Sequence, residues 1–408
     1  MCNEAPCEQA CPANVKVTTF IRRLRFGDFG AALRKIIEAN VLAGTCGMAC
    51  PKGMLCEEAC VLRPAGRSIQ IRDLQLSAHL LGLEEAPQPG RERGASKVAV
   101  IGGGPAGLAC AYYLKRLGIG VTLYEKADVL GGMLTRGIPE YRIAGDVVRK
   151  EIAYATDGIQ VVPGARVQEL SHSNLKKQGF AAAFLATGLW ESSFPQITGG
   201  DLEGVYDGSL LLRDLARTKT PLRGIRGRVA VIGGGNTACD VALSLKRYAS
   251  SDVTVFYRRT RDEMPAFAHE INDALIDGVK FEFLTAPVAV RGKGKVEELH
   301  LVRTRLGDAD VTGRPRPVPV DGSEFTFPCN CVVFATGGVL DSKWLDRAFG
   351  VKIDKSGRVA VSPDTLMTSV EGVFAGGDLS REKGLVVEAV SDGRRAALSI
   401  ARYLGEQA

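Results

Sequence analysis

Seven of the eleven cysteines in this 408-residue chain fall within the first sixty positions. They are Cys2, Cys7 and Cys11 followed by Pro12, then Cys46, Cys50 followed by Pro51, Cys56 and Cys60. Thiolates this close together, with Cys-Pro steps, fit iron–sulfur ligation. Zinc favours paired Cys-x2-Cys knuckles, and none is complete here. In a long chain without a charged-then-apolar leader pattern after Met1, such crowding argues for a metal site over disulfides. The remaining cysteines read as structural: Cys110 and Cys239 follow glycine turns where a small side chain suits helix packing, and Cys329 and Cys331 alternate on a strand-like run. His79, His172, His269 and His300 form no metal or triad pattern.

A second chemistry is written in glycine. Val98-Ala99-Val100-Ile101 runs into Gly102-Gly103-Gly104-Pro105-Ala106-Gly107, and the same seven letters return at Val229 to Gly235. Gly102, Gly104 and Gly107 permit a tight turn whose N–H groups reach a pyrophosphate at a helix N-terminus. Glu125 follows 23 residues after Gly102, at the end of the next strand, where a carboxylate can accept from a ribose hydroxyl. The second turn carries Gly233, Gly235, Asn236 and Thr237, but its next strand ends in Arg258-Arg259 with no acid. Guanidinium groups there suit the 2′-phosphate of NADPH over NADH. A third signal, Val373 to Asp378, ends a strand in Gly376-Gly377-Asp378 ahead of a helix-like stretch from Val386 to Leu404. The start of that helix, at Val386, can offer N–H groups to a flavin edge where negative charge collects on reduction. Hydride transfer needs no side-chain acid or base, so no catalytic residue is named.

These groups require particular elements to hold them. Residues 1–84 read as a helical cysteine domain, with Phe20, Ile21, Leu24, Leu33, Ile36 and Ile37 at helical spacing and a second stripe at Leu74, Leu76, Leu80 and Leu81, both expected in the core. Pro87, Pro89, Gly90 and Gly94 mark 85–96 as an exposed linker. From there the pattern is α/β: two Rossmann-like domains, with an FAD domain over 97–222 and 338–408 interrupted by an NAD(P)H domain over 223–337. The 48 glycines exceed the roughly 29 that ~7% usage would give, and they sit in turns after apolar runs. Net charge is +6, but acids and bases are interspersed, which disfavours a nucleic-acid partner. No apolar run reaches the ~18 residues of a membrane span, and a cytoplasmic location is expected.

Taken together, the chain resembles the small subunit of NADPH-dependent glutamate synthase, and equally the NADPH/FAD/iron–sulfur half of dihydropyrimidine dehydrogenase. The resemblance covers essentially all of the chain. It rests on the Cys-Pro pairs, Gly131-Gly132-Met133 with Gly137-Ile138-Pro139-Glu140-Tyr141-Arg142, Gly233 to Asp240, Tyr257-Arg258-Arg259 with Met264-Pro265-Ala266, and Ala375 to Asp378 with Val387-Glu388-Ala389. It implies a pyridine nucleotide-disulfide reductase-like fold behind an α-helical [4Fe–4S] domain. Gly132 and Arg142 would join Glu125, Gly377 and Asp378 at FAD, while Asn236, Thr237, Arg258 and Arg259 would contact NADPH. One cluster would use Cys11, Cys50, Cys56 and Gln75, and the other Cys2, Cys7, Cys60 and a further cysteine, leaving Cys46 aside. That set numbers seven ligands where two clusters need eight. The resemblance places the eighth two residues upstream of Met1, so the chain is expected to start late, with one cluster incomplete. The rivals are that Cys46 moves in as the eighth ligand, or that one cluster is absent.

The implied activity is electron input from NADPH through FAD and [4Fe–4S] clusters to a partner subunit that carries the substrate site, FMN-containing, in a hetero-oligomer. Gln75 fits dihydropyrimidine dehydrogenase better, and Gly313 to Pro319 fits glutamate synthase better. The subtype stays open between these and a ferredoxin–NADPH reductase. A non-catalytic nucleotide-binding module is the rival of another class. The lack of a Cys-x2-Cys or Cys-x4-Cys pair beyond residue 97 argues against a self-contained disulfide reductase.

Overall fold

The computed structural model describes residues 2, 4–85, 96–165, 170–218, 225–249, 251–310, 313–381 and 384–406. The expected linker at 85–96 lies outside them except at its two ends. Five helices come first: α1 (Pro6–Gln9), α2 (Val17–Arg25), α3 (Phe29–Ile37), α4 (Ala43–Ala49) and α5 (Ile71–Gly82). Alternation of strand and helix follows: β1 (Lys97–Ile101), α6 (Pro105–Arg116), β2 (Gly120–Tyr124), α7 (Met133–Arg136), α8 (Gly145–Thr156), β3 (Gln160–Val162), α9 (His172–Lys177) and β4 (Phe180–Leu185). Next come β5 (Glu191–Ser192), β6 (Val205–Asp207), α10 (Gly208–Thr218), β7 (Arg228–Ile232), α11 (Asn236–Ala249), β8 (Asp252–Tyr257), α12 (Ala268–Ile276) and β9 (Lys280–Phe283). A run of strands then spans β10 (Thr285–Arg291), β11 (Glu298–Ala309), β12 (Pro315–Pro319), β13 (Phe325–Pro328), β14 (Cys331–Phe334) and β15 (Gly338–Val339). The chain closes with α13 (Ser342–Phe349), β16 (Val373–Ala375) and α14 (Val386–Tyr403).

The chain divides into two compact units, one of Met1–Thr135, Glu140–Trp190 and Leu340–Ala408, the other of Arg136–Pro139 and Glu191–Val339. In the first, the sheet order is β16-β4-β1-β2-β3, all parallel. Val98 to Ile101 are buried on both faces, as a central parallel strand requires. The order reverses direction between β1 and β4, so the crevice beyond their C-terminal ends is where a ligand fits. Helices α6 and α14 pack closely, because a Cβ on Gly393 would lie 2.8 Å from both Ala109 Cβ and the Cys110 nitrogen.

The cysteine segment belongs to this same unit. Its helices bury Phe20, Leu33, Ile36 and Ile37 as the spacing predicts, and the Asp28 carboxylate caps α3 by accepting from the Ala31 N–H at 2.9 Å. The stripe on α5 differs from expectation. Leu80 and Leu81 are 59% and 60% exposed, and the inner face is instead Ile71, Gln75, Ala78, His79 and Gly82. Small and polar residues win that face because α3 and α4 approach α5 closely: a Cβ on Gly82 would collide with the Phe29 carbonyl, and one on Gly47 would lie 3.0 Å from the Arg72 carbonyl. Hydrogen bonds tie the segment to the flavin half: Tyr113 Oη donates to the Ile37 carbonyl at 2.7 Å and Ser391 Oγ to the Pro12 carbonyl at 2.8 Å.

The second unit has the parallel order β6-β14-β7-β8-β9 and an antiparallel sheet of β10-β11-β12 with β13 beside β11. Its main stretch opens at Glu191, against the 223 expected, and within it Val205 to Asp207 pairs with Val332 to Phe334 at the sheet edge. Three residues of strand are too short a run to announce themselves in sequence. Cys329 and Cys331 are buried, Cys331 opening β14, while Cys110 and Cys239 are fully buried on α6 and α11.

Candidate functional site

In the first glycine turn each glycine answers a specific demand. Gly102 has φ +109° and a Cβ there would run into the Ala186 carbonyl. A Cβ on Gly107 would overlap the Gly102 carbonyl, so α6 sits directly on the turn. Gly104, the residue capping α6, is different: a Cβ would meet only the Gly132 Cα at 3.9 Å, which leaves an open cradle at the helix start. Gly132, at φ +55°, stands across that cradle, and the Gly131 N–H donates to the Gly103 carbonyl at 2.8 Å. Glu125 accepts from the Gly103 N–H at 2.7 Å and the Ala127 N–H at 2.8 Å. An ionised carboxylate has about four acceptor sites, so lone pairs remain for a ribose hydroxyl. These residues fit an FAD pyrophosphate and ribose.

Arg142 is half-buried in the turn ahead of α8. Gly377 has φ +69° and opens the short helical turn carrying Asp378, whose carboxyl is pushed up by burial, with Arg358 opposing. Two residues that the motifs do not reveal organise this corner. Asp392 is fully buried, accepts from the Gly377 N–H at 3.1 Å, and takes two guanidinium bonds from Arg381 at 2.5 Å. The available signal was an acid on the apolar face of α14, between Val390 and Ala396. Val386 is the first residue of α14.

In the second turn, Gly233 and Gly234 are closed off by the Ala335 carbonyl and the Tyr257 ring, while a Cβ on Gly235 would meet only Pro265 at 4.0 Å. Asn236 Oδ1 accepts from the Phe267 N–H at 3.0 Å and the Gly234 carbonyl from the Ala266 N–H at 3.1 Å, so Met264 to Phe267 folds back over the turn. Thr237 is half-buried beside Asn236. The structure separates the two arginines. Arg258 is exposed, with its pKa pulled down by partial burial and by the neighbouring Arg259 charge. Arg259 is 4% exposed and anchored, Nε donating to the Pro315 carbonyl at 2.6 Å and Nη2 to Asp310 at 3.2 Å. Both lie in the bend just after β8, and the split follows from the neighbours: Pro315 and Asp310 take Arg259 and leave Arg258 to solvent. Arg314, on the same hairpin, donates to Tyr257 Oη at 2.9 Å and the Glu263 carbonyl at 2.6 Å.

Cys11, Cys50, Cys56 and Gln75 line one small cavity, together with Cys46 and Val387. The Gln75 Nε2 donates to the Ala43 carbonyl at 2.7 Å, which commits the amide nitrogen and leaves the oxygen for a metal. Burial pushes Cys56 up to about 12, reinforced by Cys11 and Cys50 nearby. Cys46 donates to Cys50, raising its own pKa and lowering that of Cys50. Cys2, Cys7 and Cys60 form a second group: burial and Glu8 raise Cys7, with Cys2 and Cys60 as neighbours. In Cys60, burial is outweighed by backbone N–H groups led by Ile69, which lies 3.5 Å from Sγ. Among the described residues, no three His, Cys, Asp or Glu side chains converge on a single ion. A cluster holds its ligands further apart, around a cube of iron and sulfide, and half-buried thiols ringing a cavity fit it. Cys56→Ala is expected to remove the iron of this cavity, whereas Cys46→Ala retains it. Iron analysis with the visible cluster band checks both, and halved iron in Cys46→Ala would make Cys46 a ligand.

The pyridine nucleotide-disulphide oxidoreductase family model matches residues 96–393, and the dihydropyrimidine dehydrogenase domain II 4Fe–4S model matches 1–81. The glutamate synthase [NADPH] small chain of Escherichia coli is 32% identical, over 99% of this chain and 89% of its own length. The NADP(+)-dependent formate dehydrogenase subunit beta of Moorella thermoacetica is 38% identical, over 98% of this chain, which spans 60% of that protein. In fold, the chain is similar to FprA of Mycobacterium tuberculosis in complex with NADPH (TM-score 0.62, 18% identity, 76% of this chain and 85% of that one). The thioredoxin reductase of T. acidophilum gives a TM-score of 0.58 at 21% identity, over 76% of this chain and 97% of that one. Among the described residues no helix is long and apolar enough to cross a membrane. The cofactors are FAD, NADPH and iron–sulfur clusters, and the chain belongs to the pyridine nucleotide-disulphide oxidoreductase family, among the NAD(P)H-dependent FAD and iron–sulfur oxidoreductases that include the glutamate synthase small chains.

Proposed function

We propose that this chain is an electron-input subunit: NADPH gives hydride to FAD, and electrons leave one at a time through the cysteine clusters to a partner subunit carrying the substrate site. The observation that supports this most is the cavity of Cys11, Cys50, Cys56 and Gln75, which is closed on one side by Val387. Val387 is the second residue of α14, the helix whose first residue, Val386, is expected at the flavin. One helical turn therefore borders both sites. Bound FAD supplies the change from two-electron to one-electron chemistry; the protein supplies orientation and electrostatics. Gly104 and Gly132 leave room for the pyrophosphate, Glu125 holds the ribose, and Asp378 and the start of α14 meet the flavin end. Asn236 and Thr237 open the helix facing the nucleotide, and Arg258 reads its 2′-phosphate. Cys2, Cys7 and Cys60, with a further cysteine, hold the second cluster. Relatives named as small chains and beta subunits support a hetero-oligomer, with an FMN-containing partner as the finer reading.

Anaerobic addition of NADPH to the purified chain is expected to bleach its flavin band and to reduce an artificial dye catalytically. The same chain alone should turn over neither glutamine with 2-oxoglutarate nor uracil. A flavin-free protein, or one that binds NADPH without bleaching, would overturn the electron-input role; turnover of an organic substrate would remove the need for a partner.

A further inference from the structure

Glu151 takes no part in the cofactor contacts described above, yet it is one of the most deeply buried charged groups in the first unit, at 1% exposure. It sits on α8, the helix that follows the Gly137-to-Arg142 segment of the flavin half. Among the described residues, every hydrogen bond it accepts comes from the cysteine segment. Its Oε1 accepts from the Gly44 N–H at 2.6 Å, and its Oε2 from the Thr45 N–H at 2.9 Å and from Thr45 Oγ1 at 2.5 Å. His79 Nδ1 lies 3.2 Å from Oε1 without the alignment of a hydrogen bond. Burial raises the Glu151 carboxyl to about 7 against the pull of these three donors. Desolvation outweighs the bonds, so the group is a poor device for stability, and a buried charge of this kind is better explained by the one arrangement it specifies.

That arrangement is the seating of α4. Gly44 and Thr45 form its first turn, and the Ala43 carbonyl immediately before them receives the Gln75 amide. Cys46 lies one residue further on, and Cys50 ends the helix, its N–H donating to the Cys46 carbonyl at 3.0 Å. The helix has no slack: a Cβ on Gly44 would stand 2.7 Å from the His79 ring and 2.8 Å from Val147, which is itself on α8. A displacement of the first turn of α4 is therefore passed to Gln75 and to Cys50, two of the four groups around the cluster cavity. Electron tunnelling falls exponentially with the gap between donor and acceptor, so the seating of α4 is also the setting of a rate.

We propose that Glu151 is a positioning residue for electron transfer, holding the Cys11/Cys50/Cys56/Gln75 cluster site at a fixed separation from the flavin by gripping the first turn of α4. This rests on the electron-input reading above. The step it governs moves one electron at a time, oxidising the reduced flavin and reducing the cluster, and breaks no bond of the protein.

The test uses the full chain loaded with flavin and iron, as parent, Glu151→Gln and Thr45→Val. Gln keeps the shape but turns one acceptor into a donor facing Thr45 or Gly44; Thr45→Val removes only the hydroxyl bond and serves if the Gln variant does not hold iron. Rapid mixing with NADPH follows the flavin band, and freeze-quenched electron paramagnetic resonance follows the cluster. Flavin bleaching and iron content should stay within twofold of the parent, while cluster reduction slows at least tenfold in Glu151→Gln and by less in Thr45→Val. The dithionite-reduced signal, which needs no NADPH, should change its line shape in both variants. Cluster reduction that keeps pace with the parent, with an unchanged dithionite signal, overturns the role of Glu151. A parent that NADPH fails to bleach counts against the electron-input reading instead, and the dithionite signal still decides the role of Glu151.

Discussion

Gly393→Ala is expected to yield protein with less than a tenth of its flavin, although alanine is the better helix former. In an open helix the change would gain about 1 kcal/mol. Here the new methyl lies inside contact distance of the Ala106 carbonyl and 2.8 Å from both Ala109 Cβ and the Cys110 nitrogen. Overpacking of a close-packed interior costs about 1–3 kcal/mol, and backbone atoms cannot rotate away as a side chain can. The clash outweighs the propensity gain. Its location matters more than its size: α14 and α6 would separate where they cross, and both start at the expected flavin site. The bond from the Gly377 N–H to Asp392, one residue before the substitution, would loosen with them. The ratio of flavin to protein absorbance after gentle purification measures the loss, with Gly393→Val more severe. Full flavin in Gly393→Val would show that the crossing does not set the site.

Arg258→Ala should weaken NADPH by about 10- to 150-fold, the equivalent of a charge-assisted bond of about 1.5–3 kcal/mol, and leave NADH within about twofold. Arg259→Ala should behave differently. Removing it strips Asp310 and the Pro315 carbonyl of a buried donor and loosens the β11–β12 hairpin, so both nucleotides weaken together and the melting temperature falls. KM for each nucleotide in dye reduction separates the two. Equal losses of NADPH and NADH in Arg258→Ala would mean that Arg258 does not read the 2′-phosphate.

The contrast between these arginines shows where sequence stops being informative. The glycine turns, the strands that feed them and Glu125 were legible because a local run of chain meets a local steric demand. Gly107 answers to the Gly102 carbonyl five residues away, and Gly102 to the φ of +109° that the turn itself demands. The roles of Arg258 and Arg259 depend on a hairpin fifty residues later, and nothing in the dipeptide says which one the hairpin takes. The α5 stripe failed for a related reason. Leu80 and Leu81 suit helical periodicity, but α3 and α4 come too near for large side chains, and that closeness is a property of three helices together. Asp392 and Glu151 were invisible because an acid in sequence looks the same whether it faces water, a turn 11 to 15 residues away as Asp392 does, or a helix more than a hundred residues away as Glu151 does. The Val205–Asp207 strand was missed because its signal is carried by its partner, Val332 to Phe334.

The bond from Ser391 to the Pro12 carbonyl joins residues 379 apart in the chain. During synthesis Cys11 leaves the ribosome long before α14 exists, and at ~5–20 residues per second the wait is about 20–75 s. Throughout that interval the cavity lacks its Val387 wall, and its thiols stand open to whatever reaches them first. With a cluster as proposed in this cavity, iron delivery and oxidation would compete for the same window, and the arrangement that shields the finished cluster would also make the nascent chain dependent on prompt metal loading.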